Sequence, residues 1–285
     1  MSNTYDAALL VDTISERSQT ILGSALAPLA AFSTNFSDEV KKPKDTIQVP
    51  LVTATAAVQT NPTSFNGIGG TTVGAADVSL AHKYLPFGLS YADLQNGRRL
   101  EQLIDIQLKA FADDLWSVAT APITTDNFGA AVVEKDSADI NATSGDLPKV
   151  WAAIHKARRK ALIVDPTIYS NLIPTNTQSL PLSAGAYGFD AGVFYATSFP
   201  SEEGLEGFGI CPEAVAVASA APALDGFREG MIVSQVVNIE GINLPVYWNV
   251  WADKTTRSIV ASVEVMFGSG KGITSGTAAL IMPAA

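Results

Sequence analysis

The stretch 45–121 constrains this chain more than any other. It reads as a long hairpin, nearly free of charge, followed at once by one long amphipathic helix. The expected arms are 46–59 and 71–84. Ile47, Val49 and Leu51 alternate on the first, and Val73, Val78 and Leu80 mark the second. Period-two alternation between turn-rich borders is the strand signal. The tip between them, from Asn61-Pro62 through Phe65 to Gly69-Gly70, is turn chemistry throughout. A ribbon this long and this weakly apolar cannot bury a core of its own, and a flat exposed ribbon invites pairing with another chain. The helix is expected over 97–119, capped by Asn96, with Leu100, Leu103, Ile104, Leu108, Phe111, Leu115 and Val118 along one face. At ~1.5 Å per residue it is about 35 Å long. Arg98 and Arg99 near its start and Asp113 and Asp114 near its end oppose the helix dipole. Those charges suit either a solvated face or contacts with neighbouring subunits.

Bulk composition also points to assembly. Of 285 residues, 47% are hydrophobic and only 16% are charged. A lone protein of this size needs more charge on its surface, so oligomerisation is expected. The net charge of −10 argues against nucleic-acid binding by overall electrostatics, although a locally basic side could still line an enclosure. A single cysteine, Cys211, rules out an internal disulfide framework or a cysteine metal cluster. The apolar run 21–32 follows Asp6, Asp12 and Glu16 rather than a basic segment, so it matches neither a signal peptide nor a membrane span. A soluble, cytosolic chain at synthesis is expected.

Along the chain, 1–31 is expected to be an arm with a helix near 5–22, and 35–44 is polar and charged, with Pro43 ending any helix. The segment 121–145 reads as a loop with a short strand at 130–133. A second region starts near Asp146, with Pro148 in a helix first turn and Val150, Ile154, Ala157 and Ala161 at helical spacing. A short buried strand at 161–164, a break at Asp165-Pro166 and a helical turn at 167–172 follow, an α+β pattern. Strands are expected at 210–218, 231–239, 244–251 and 258–267. The Gly/Ser stretch 268–276 reads as a connector to a last apolar run at 277–282.

No motif for chemistry stands out. His82 and His155 lack metal-ligand spacing, and Cys211 beside Pro212 suits a buried small hydrophobe. Gly268-Ser269-Gly270-Lys271-Gly272 fails as a phosphate loop because the glycine spacing is wrong and no Ser or Thr follows the lysine. Glu202, Glu203 and Glu206 could hold a cation, but a solvated acidic loop is the simpler reading. One charge feature remains. Lys149, Lys156, Arg158, Arg159 and Lys160 place five of the 18 basic residues within twelve positions. They suit a solvated helix face, intersubunit salt bridges or neutralisation of phosphates. No catalytic residue, metal site or cofactor is expected.

The order of these elements resembles the major capsid proteins of tailed bacteriophages, the Hong Kong 97-type fold. The resemblance covers essentially the whole chain. It rests on Ser90-Tyr91-Ala92-Asp93-Leu94 leading into the long helix, on Ala161-Leu162-Ile163-Val164-Asp165-Pro166 with Tyr169 and Leu172, on the Gly-rich run 185–199, and on the ending Gly276-Thr277-Ala278-Ala279-Leu280-Ile281. It implies an α+β chain with an N-terminal arm at 1–43 and an extended hairpin, the E-loop, at 44–89. A peripheral domain with the spine helix would take 90–144, an axial domain 145–253, and a return to the peripheral domain with the tail 254–285. It further implies a structural protein that self-assembles into hexamers and pentamers of an icosahedral phage head around double-stranded DNA, bound without sequence specificity. Portal, scaffolding and decoration proteins would be partners, no membrane would be involved, and assembly would take place in the host cytoplasm. Ile47, Val49, Leu51, Phe65, Val73, Val78 and Leu80 would then be E-loop contacts to the adjacent subunit. Lys149, Lys156, Arg158, Arg159 and Lys160 would face DNA or a neighbour. The hairpin span 46–82 holds no lysine, so a shell without covalent cross-links is expected. With so short a run before the arm, any scaffold is expected to be a separate protein. An encapsulin-like cargo compartment keeps the fold and changes the contents. A secreted β-rich adhesin is disfavoured by the long helix.

Overall fold

A computed structural model describes residues 7–53, 72–90, 97–141, 144–155, 159–173, 186–223, 231–253 and 258–284. Two sheets organise the chain. The larger joins β1 (Ser33–Lys41), β9 (Val215–Pro222), β12 (Ser258–Lys271), β11 (Leu244–Asp253) and β10 (Met231–Ile239) in that order, with β4 (Ala81–Leu89) also pairing β12. The smaller runs β5 (Val133–Glu134), β13 (Ala278–Met282), β8 (Gly207–Ile210), β6 (Ala161–Val164) and β7 (Gly192–Tyr195). The hairpin β2 (Thr46–Thr53) and β3 (Thr72–Ser79) forms a separate two-stranded ribbon.

Helix α1 (Ala7–Ala25) packs its stripe Leu10, Ile14, Ser18 and Leu22 inward, the i, i+4 spacing of a buried helical face. Ser18 is tolerated there because its Oγ accepts the indole N–H of Trp248 at 3.0 Å, so neither buried polar atom is orphaned. Helix α2 (Gly97–Thr120) buries Leu100, Ile104, Leu108, Phe111 and Leu115, the face anticipated from its periodicity. Arg17 makes a two-pronged pair with Asp105, fastening α1 to α2. Both helices cover one face of the larger sheet, against Val217, Val246, Trp248, Val263, Val265 and Phe267.

The small sheet is buried on both faces. Ala161 and Ile163 point to the main core; Leu162 and Val164 point to a second cluster with α4 (Asp146–Ala153) and α5 (Pro166–Leu172). Burial on both sides explains why β6 reads as an unbroken apolar run rather than an alternation. Asp165 starts α5 by accepting the Ile168 N–H at 2.7 Å, with Pro166 in the first turn. A short helix α3 (Thr125–Phe128), not foreseen, is capped by Thr124 and by the carboxylate of Glu202.

Several expectations need correction. Residues 33–41, where no strand was expected, form β1, parallel to β9; an edge strand accepts the polar residues found there. The second hairpin arm stops at Ser79, and 81–84 instead belong to β4, paired with β12. The expected strand 210–218 is two strands in different sheets, separated by a 3₁₀ turn over Pro212–Ala214. The Gly/Ser stretch is strand through Lys271. β9, β10 and β11 lie in the larger sheet with β12, while the terminal β13 returns to the smaller one beside β8.

Candidate functional site

The hairpin is the first candidate surface. Thr46 pairs with Ser79, Val49 with Ala76 and Thr53 with Thr72, an unbroken antiparallel register. Its base is not free. Ile47, Val49, Leu51, Val78 and Leu80 are buried within their own chain, against Ala216, Ala218, Ala220 and Met266. In the single chain their apolar side chains are thus covered by its own sheet. The physical reason lies in β9, which alternates Val215 and Val217 toward the helices with Ala216, Ala218 and Ala220 toward the hairpin. Small residues let the ribbon settle on the sheet. Gly268 extends the same logic: a Cβ there would lie 2.2 Å from the carbonyl oxygen of Ser79, so no side chain fits. Val73 keeps its strand position opposite Val52. Phe65 and the whole tip lie outside the described residues, as do the outer ends of both expected arms.

The basic segment is the second candidate, and it does not form one helical face. α4 ends at Ala153, so the expected continuation through 161 is corrected: Ala161 already starts β6. Lys149 is exposed and pairs with Asp146 at 3.0 Å. Lys160 is buried, donating from Nζ to the Trp151 carbonyl at 2.8 Å and sitting 3.5 Å from the centroid of the Trp151 ring. Burial pulls its pKa down, opposed by Asp190. Lys160 thus braces Trp151 within its own chain. Arg159 is exposed. Lys156 and Arg158 fall outside the described residues. Trp151 also donates its indole N–H to the Gly188 carbonyl at 2.9 Å, which ties α4 to the segment before β7.

Two polar constellations escaped sequence reading. Asp146 is fully buried at the start of α4 and pairs with Lys135 at 2.7 Å as well as with Lys149. Burial pushes its carboxyl pKa up, but hydrogen bonds from Lys135, Lys149 and Ser144 overcome that and hold it at about 2. The second is a chain of contacts across four adjacent strands. Ser234 on β10 donates to Asn249 Oδ1 on β11 at 2.9 Å, Asn249 donates to Glu264 on β12, and Glu264 Oε2 lies 2.7 Å from His82 Nε2 on β4. Burial, and then Glu264, raise the pKa of the neighbouring Tyr84. No signal in the sequence links His82 to Glu264; they are 182 positions apart.

This chain of contacts has the members of a sheet brace rather than of a catalytic set. Its hydroxyl meets an amide, with no base beside it to make it a nucleophile. Cys211 is buried, and burial pushes its thiol up to about 12, the opposite of an activated thiolate. Glu202 is occupied as the cap of α3. Among the described residues no group of three or more His, Cys, Asp or Glu is placed to hold a metal, and no helix is long and apolar enough to cross a membrane.

No model of a known protein family matches this sequence, and no curated protein matches it. Comparison of backbones gives a different result. A virus-like particle from Pyrococcus furiosus matches over 95% of this chain and 99% of its own, with a TM-score of 0.54 at 10% identity. The chain has the Hong Kong 97-type fold. A second solved structure, from Gordonia phage Cozz, matches over 92% of this chain and 87% of its own, with a TM-score of 0.53 at 11% identity. At such identities the Hong Kong 97-type likeness lies in element order and packing, with few side chains shared. It spans both sheets and both long helices, so the two-sheet arrangement is one Hong Kong 97-type unit rather than a fold with an unrelated addition.

Proposed function

We propose that this chain is a shell-forming structural protein, the major capsid protein of a phage head, assembling as hexamers and pentamers into an icosahedral container for double-stranded DNA. The observation that carries the reading is the end-to-end backbone match to a virus-like particle, 95% of one chain on 99% of the other. Low charge content and the absence of an activated nucleophile or metal cluster among the described residues fit a mechanical role. The hairpin would act in two parts. Its base is anchored on the chain's own sheet, and residues 54–71 beyond it would reach over the adjacent subunit. α2 supplies a stiff strut braced by α1. Portal, scaffolding and decoration proteins would be partners of such a shell, and assembly would proceed in the host cytoplasm. Arg159, with Lys156 and Arg158 beside it in sequence, would meet DNA phosphates or a neighbouring subunit. An encapsulin-like compartment would use the same shell around protein cargo.

The test follows the two-part hairpin. Thr53 and Thr72 are paired, so replacing residues 54–71 with Asn-Gly closes the ribbon by a two-residue turn and leaves the buried base intact. The variant should remain folded and fail to form closed shells in negative-stain electron microscopy. Shells of normal diameter from this variant would refute the bridging role. Absorbance at 260 and 280 nm of full-length particles separates nucleic acid from protein contents. Arg159→Glu should lower the nucleic-acid share if that residue faces DNA.

A further inference from the structure

The outer edge of β10 carries a feature that the shell reading does not use. β10 ends the larger sheet and, among the described residues, pairs only with β11. Its nine residues, Met231 to Ile239, contain no charge and no proline, the two devices that usually guard an edge. One end is closed by α1. Gln19 donates to the Asn238 carbonyl at 2.5 Å and accepts the Glu240 N–H at 2.9 Å. These two bonds identify which backbone groups point away from β11. In an antiparallel ladder, alternate residues turn both N–H and C=O to the same side. Val236 and Ser234 therefore present theirs outward with Asn238, beyond the reach of Gln19. The strand register shifts between Met231 and Val233, which limits the regular open edge to this pair. Beside it stand two apolar side chains left in water, Ile232 at 42% and Val236 at 55% exposure.

We infer that this edge is an intersubunit site whose occupant is β10 of a second copy, added antiparallel about a twofold axis through Gln235. That register sets Ser234 opposite Val236 of the second copy and the reverse, so each pair exchanges both backbone hydrogen bonds. An uncharged strand meets its own copy without like-charge repulsion, whereas most edges carry charges that would forbid this. The register also keeps Asn238, already taken by Gln19, out of the bonded pairs, and it brings the two exposed Val236 side chains into diagonal contact. The interface is small and would be weak alone. The inference therefore rests on the shell reading, in which many copies add their contacts by effective concentration.

Gln235 at the axis allows a direct test. Facing residues of a non-hydrogen-bonded antiparallel pair have Cα atoms about 4.5 Å apart, within disulfide range. Cys211 is buried and does not compete. Full-length protein carrying Gln235→Cys, treated with diamide in its assembled state, should run largely as a covalent dimer on a non-reducing gel. Adding Val236→Lys, a substitution at an exposed site, should abolish the dimer and leave the fold intact by circular dichroism. Particles that assemble yet give no dimer would overturn the edge pairing and leave the shell reading standing. A dimer formed by a chain that never assembles further would uphold the pairing and sink the shell. Neither particles nor dimer would remove both.

Discussion

Asp146 shows how much one side chain can hold in this protein. It lies in the first turn of α4, where a negative charge suits the helix dipole, and its two lysines come from opposite directions: Lys135 next to β5 and Lys149 one turn along the helix. A carboxyl held at about 2 against an ordinary 3.8 corresponds to about 2 kcal/mol at most, since both lysines are partly in solvent. The folded pKa is the lower one. The contribution is thus fully present above the unfolded carboxylate range near pH 4 and fades as pH falls toward 2. Asp146→Asn should lose about 1–2 kcal/mol in urea unfolding at pH 6, and the gap to the native protein should shrink as the titration is repeated at lower pH. A gap that stays constant from pH 6 to pH 2.5 would show that charge is not its source.

At the scale of elements, α2 separates buried from exposed hydrophobes cleanly. Leu108 is fully buried, while Ile106, two residues earlier, is 62% exposed. Leu108→Ala should cost about 2–5 kcal/mol through transfer and cavity terms, and Ile106→Ser should stay within about 0.5 kcal/mol. Paired chemical denaturation curves would check both; equal losses would mean that the helix is turned differently on the sheet. The hairpin offers the second element-scale prediction. Gly268→Ala pushes a methyl group into the Ser79 backbone, where neither side can yield by a rotamer change. It should cost about 1–3 kcal/mol, and limited proteolysis should then cut more readily around 46–80. Unchanged stability and protection would contradict the close seating of β3 on β12.

The whole molecule joins distant segments through β12. Its 14 residues pair with β11, β4 and β9, and the face of this sheet opposite the helices carries the hairpin base. Stability and assembly should therefore separate. Replacing 54–71 with Asn-Gly keeps every described member of the three buried clusters. The shortened protein should unfold at a denaturant midpoint close to that of unassembled full-length chain, while sedimentation velocity shows it arrested below shell size. A large drop in midpoint would mean that the distal hairpin also stabilises the subunit that carries it.

The sequence by itself determined what depends on local period and composition: α2 with its buried stripe, the hairpin with its alternation, the two-sided β6, the Asp165-Pro166 start of α5, and an order of elements that resembles the Hong Kong 97-type fold. Tertiary structure decided the rest. Whether Ile47 and Val49 bury in their own subunit or in another depends on Ala216 and Ala218, about 170 positions away, and alternation is the same in either case. The basic run looked helical because Ile154, Ala157 and Ala161 keep the right spacing, yet Ala161 is claimed by pairing with β7 and β8. The Gly/Ser stretch looked like a linker because glycine favours turns, yet Gly268 is needed in a strand where another backbone comes too close for a Cβ. Period and propensity are properties of neighbours along the chain. Burial, ion pairing and strand partnership are properties of neighbours in space, and only the folded molecule brings those together.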